Sequence, residues 1–94
     1  MTLPSFDEFQ FIARQHGAQE VVERRWAPNQ VVDLHAHPFE AQALVTAGEM
    51  WLVRADRTEH LRVGDSFHLL PGTPHSERYG PEGATYWVAR RTPK

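Results

Sequence analysis

Val31-Val32-Asp33-Leu34-His35-Ala36-His37 is the stretch whose reading decides this chain. Valine-rich segments favour extended backbone. In a strand, residues two apart point to the same side, so His35 and His37 share a face. Neutral imidazole is the commonest protein ligand for zinc, iron, nickel and copper. A third histidine, His75, begins a later strand-like segment, directly behind Pro71-Gly72-Thr73-Pro74. In an antiparallel barrel, inward side chains from non-adjacent strands meet readily. The three imidazoles therefore indicate a metal site on a β scaffold. Glu40, Gln42 and Glu77 are the nearby groups able to complete its coordination sphere.

Working outward, short strand-like segments alternate with turn signals. They run over 20–26, 31–37, 41–46, 49–54, 58–62, 66–70, 75–79 and 84–90. Ala27-Pro28-Asn29, Gly48, Ala55-Asp56-Arg57, Gly64-Asp65 and Gly80-Pro81-Glu82-Gly83 punctuate them. Many short strands separated by turn residues predict a sandwich or barrel. Ahead of them, Ser5 with Glu8 three residues later forms a capping-box pattern. Phe6, Phe9, Ile12 and Ala13 fall on one helical stripe, and Gly17 suits a helix stop. A helix over 5–16, laid across the outside of a sheet, is expected.

Composition narrows the class. The chain has 94 residues, 40% of them hydrophobic, and a net charge of −2. That is one domain with a modest core. The charge supplies no attraction for nucleic acid or anionic lipid. Arg24-Arg25 and Arg90-Arg91 are expected to form a solvated rim. With no cysteine, disulfides and thiolate metal sites are excluded. No apolar run approaches a membrane span, and no signal-like segment opens the sequence. A cytoplasmic protein that uses neither membrane nor nucleic acid is expected. Among the other histidines, His16 and His60 read as solvated and His68 as surface. Trp51 and Trp87 read as core or dimer contacts.

The pattern resembles the cupin family over residues 31–90. The family's first motif, G(X)5HXH(X)3,4E(X)6G, is matched by His35, His37 and Gly48, with Asn29 in place of the first glycine. Its second, G(X)5PXG(X)2H(X)3N, is matched by Gly64, Gly72 and His75. Leu70 replaces the proline, which follows as Pro71, and Tyr79 takes the final Asn position. Fifteen residues separate Gly48 from Gly64, as in compact microbial cupins. The resemblance implies an all-β, double-stranded β-helix barrel over 20–94, preceded by a helical segment over 1–19. It implies one divalent ion (Fe, Zn, Ni or Mn) in the barrel mouth.

One position departs from the family. Counting back from Gly48, the motif's glutamate ligand falls on Ala41, and Glu40 stands one residue early. By strand parity Ala41 faces inward and Glu40 outward, unless Pro38-Phe39 bulges. Three arrangements follow: Glu40 as ligand through a bulge, a three-histidine site with open positions, or Glu77 as the carboxylate. The three-histidine arrangement is favoured, with Glu40 retained as a candidate ligand. Tyr79 and Glu77 are expected as acid–base or orienting groups at the cavity wall. The resemblance implies a small-molecule ligand and chemistry of the dioxygenase or isomerase kind. The alternative is a non-catalytic sensing module. A homodimer is expected, because so small a barrel leaves strand edges that need cover.

Overall fold

The computed structural model describes residues 2–93. It contains one helix, α1 (Phe6–Gln15), and six strands. These are β1 (Glu20–Trp26), β2 (Val31–His35), β3 (Glu40–Val53), β4 (Thr58–Arg62), β5 (Ser66–Leu69) and β6 (His75–Arg91). The capping box of α1 is formed: Glu8 N–H donates to Ser5 Oγ at 3.1 Å, and Ser5 N–H donates to Glu8 Oε1 at 2.9 Å. Gly17, at φ 95°, follows the C-cap His16. No residue of the helix is buried. It lies outside the sheet and sets Phe6 edge-on to Trp87, with ring centroids 5.4 Å apart, and Phe9 beside the same ring.

Two expected strand breaks are absent. Residues 41–46 and 49–53 belong to the single strand β3, which stops one residue short of the expected Arg54, and 75–79 and 84–90 to the single strand β6. These two long strands pair antiparallel along almost their whole length, from Glu40↔Arg91 to Val53↔Ser76. The pairing shifts register between Val45 and Ala47, and again between Gly48 and Met50. The shifts reverse which face is buried. Ala41, Ala43 and Val45 are buried before them, Met50 and Leu52 after them. β6 makes the matching change, from Glu77 and Tyr79 to Ala84, Tyr86 and Val88. Glycine at these points bends the strand instead of reversing it, because the facing ladder continues on both sides.

The bend divides the sheet into two facing halves. In one, the order is β1, the second half of β6, the first half of β3, then β5. In the other it is β2, the first half of β6, the second half of β3, then β4. The expected closure into a barrel is not seen in the ladder. Among the described residues β1, β2, β4 and β5 each pair on one side only. The architecture is a mostly β, open double-stranded β-helix with one short helix. Its core is the apolar cluster between the halves, with Met50, Leu52, Val45 and Tyr79 almost wholly enclosed. Asn29, where the motif has glycine, takes φ 59°, a left-handed conformation that asparagine tolerates.

Candidate metal centre

The ladder brings the histidines together. His35, the last residue of β2, pairs directly with His75, the first residue of β6. His37 follows just beyond β2, where its carbonyl accepts a 2.8 Å hydrogen bond from Gly72 N–H of the loop before His75. Ring centroids lie 4.2 Å apart for His35 and His75, and 4.7 Å for His35 and His37. One ring nitrogen from each of the three lies within 4.8 Å of the others. His75 is 2% exposed, and the other two are half-buried.

The backbone sets two of the tautomers. His35 Nδ1 lies 2.7 Å from the Asp33 carbonyl, and His75 Nδ1 lies 2.9 Å from the Thr73 carbonyl. A carbonyl only accepts, so each Nδ1 carries the hydrogen, and in the neutral ring each Nε2 keeps its lone pair. This outer bond is what orients a metal-ligating imidazole. His37 stacks on Phe39, and burial, then the neighbouring His35 and His75, push its pKa below the ordinary histidine value. It therefore stays neutral and able to ligate at lower pH than a free imidazole. Three imidazoles with converging nitrogens fit a divalent transition metal.

Glu77 and Tyr79 lie on the same inward face of β6 as His75, as period two requires. Both are buried. The Tyr79 hydroxyl donates to Glu77 Oε1 at 2.6 Å. Glu77 Oε2 lies 3.5 Å from His35 Nε2 and 3.9 Å from His75 Nε2. Burial, and then the neighbouring tyrosine and glutamate, drive the Tyr79 pKa far above the ordinary phenol value, so it remains a donor. Trp26 stacks on Tyr79, with centroids 5.1 Å apart. Its indole nitrogen is buried beside the Tyr86 hydroxyl without a hydrogen bond of good geometry.

Glu40 does not join the histidines. Its carboxylate accepts from His68 Nε2 and from the Arg91 guanidinium, the latter at 2.6 and 3.0 Å. Ala41, the next residue, is 5% exposed and part of the core. No bulge turns Glu40 inward, so its expected place in the coordination sphere gives way to a surface ion pair. Gln42 is exposed.

The remaining side chains occupy the outside. His60 bonds to Glu49 at 2.8 Å and stacks on Trp51, whose ring also carries Arg78. Trp87 is covered by α1 and donates to Glu23. Of the basic pairs, Arg25 meets Glu23, Arg90 meets Glu20 and Arg91 meets Glu40. Sequence reasoning passed over Trp26 and the two orienting carbonyls. A strand tryptophan resembles ordinary core, and a carbonyl has no sequence signature.

Residues 22–88 match the cupin domain model, and the chain belongs to the cupin family. It superposes on an uncharacterised double-stranded β-helix protein from Klebsiella pneumoniae with a TM-score of 0.66 at 27% identity, over 76% of this chain and 64% of that one. An RmlC-like cupin from Shewanella frigidimarina gives 0.69 at 22% identity, over 79% and 66%. Oxalate decarboxylase from Bacillus subtilis gives 0.70 at 23% identity, over 77% of this chain but 20% of that enzyme. The chain thus spans under two thirds of the Klebsiella protein and only a fifth of the decarboxylase. Among curated proteins none matches the sequence. No helix of the described residues is long and apolar enough to cross a membrane.

Proposed function

We propose that this cupin binds one divalent metal ion through His35, His37 and His75 and acts there on a small molecule. The observation that carries the reading is the pair of orienting bonds. Asp33 and Thr73 carbonyls hold Nδ1 of His35 and His75, and this leaves both Nε2 lone pairs directed at the space that His37 shares. Bound there, a ferrous, zinc, nickel or manganese ion would supply Lewis-acid or redox chemistry, as in dioxygenases or isomerases. Glu77 and Tyr79 supply a buried carboxylate and a held proton beside the same space. The protein is proposed to work in the cytoplasm, as a homodimer.

Elemental analysis of protein purified without added metal tests the first part. About one ion per chain is expected, with at least a tenfold loss of affinity in His35→Ala and His75→Ala. Stoichiometric metal in both variants would show that the histidines are not the ligands. Dioxygen consumption with thiol or diol substrates then tests the chemistry. Tight ligand binding without turnover would point instead to a sensing module.

A further inference from the structure

The motif position that holds the family's carboxylate is alanine in this chain, and Glu40 is engaged elsewhere. Yet a carboxylate does face the histidines, from a different strand. Glu77 Oε2 stands 3.5 Å from His35 Nε2 and 3.9 Å from His75 Nε2. These contacts are too long for good hydrogen bonds. They lie close to the spacing of donors that share one ion, since bonds of about 2.0–2.2 Å set neighbouring donors roughly 3–3.6 Å apart, and they are no wider than the 4.8 Å that spans the three histidine nitrogens.

The hydrogen bonds make the same point. With both Nδ1 atoms held by backbone carbonyls, Nε2 is the nitrogen that His35 and His75 each turn toward Glu77. Glu77 is 6% exposed, and a carboxylate so far removed from water needs a partner. Its other oxygen is already held by Tyr79 at 2.6 Å, which aims Oε2 at the imidazoles. Among the described residues no lysine or arginine pairs with Glu77; its only ion-pair contacts are His35 and His75.

We infer that Glu77 is the fourth protein ligand of the metal site, supplied from β6 in place of the carboxylate that Ala41 lacks, and that Tyr79 is its positioning residue. This rests on the three-histidine reading above. Glu77 then contributes negative charge and one coordination bond to the ion, and is not a proton shuttle.

The test is cobalt(II) binding by the whole chain, followed by titration and by visible absorption, which reports the ligand number and geometry. Glu77→Gln is expected to lower cobalt affinity at least tenfold and to change the absorption bands. Tyr79→Phe is expected to lower it by a smaller factor, with the bands largely kept. If Glu77→Gln does not fold, Glu77→Asp replaces it: the shortened carboxylate is expected to weaken binding and alter the spectrum. Wild-type affinity and spectrum in the folded glutamine or aspartate variant would overturn the assignment, while loss of cobalt in His75→Ala would leave the three-histidine site standing. Full cobalt binding in His75→Ala would remove that site, and this inference with it.

Discussion

Glu40 and Glu77 show how one residue of register decides what a carboxylate does. Glu77 shares the inward parity of His75. Glu40 is out of step with the buried Ala41 and closes a surface clamp between the start of β3, His68 of β5 and Arg91 at the end of β6. The hydrogen bond from His68, and then Arg91, hold its pKa below the ordinary glutamate value. A carboxylate with a depressed folded pKa contributes stability above its unfolded value of about 4.3 and loses it as pH falls through the folded value. Glu40→Gln is therefore expected to melt below wild type at neutral pH. The gap should narrow as the pH is lowered below about 4. Thermal melting between pH 2 and 7 checks this, and a gap that persists unchanged into acid would contradict it. Because the clamp is exposed, its contribution is small.

At the scale of elements, the fold turns on where β3 and β6 bend together. Gly48 has φ 70°, and a Cβ there would sit 2.1 Å from the Gly83 carbonyl oxygen. That atom belongs to a paired strand and cannot move aside. Gly48→Ala combines left-handed strain with a backbone clash and is expected to cost roughly 3 kcal/mol or more. Gly72 has a similar φ of 78°, but nothing lies within 4 Å of its missing Cβ. Gly72→Ala should cost only about 1 kcal/mol, the backbone strain alone. Denaturant unfolding of the two variants separates the effects. Equal losses would mean that the approach of the two strands is not what Gly48 serves.

For the whole molecule, the open edges matter most. β2 pairs only with β6 among the described residues, and its Val31 and Leu34 are 61% and 72% exposed. An unpaired edge with apolar side chains is a template for a second chain. Trp87, by contrast, is taken up by α1. The proposed homodimer is therefore expected to use the β2 edge, giving a two-chain mass by light scattering at micromolar concentration. Val31→Lys with Leu34→Lys should return it to one chain. A monomeric wild type would refute the dimer; a dimer untouched by both lysines would move the interface elsewhere.

What the sequence determined by itself was local or periodic. The capping box needs only Ser5 and Glu8, and parity put His35 beside His37; for Ala41 and Glu40 it left open a bulge at Pro38-Phe39, and only the fold placed Ala41 in the core and Glu40 against His68 and Arg91. Motif spacing related those histidines to His75. The continuity of β3 and β6 could not be read this way. Gly48 and Gly83 carry the same chemistry whether a strand reverses or bends, and the facing ladder makes the choice. The sheet's failure to close was equally hidden, because strand edges are decided by pairing between distant segments. At the site, the identity of the imidazoles was legible, but their tautomers were not. Those depend on the carbonyls of Asp33 and Thr73, groups that every residue carries and that only the folded backbone aims.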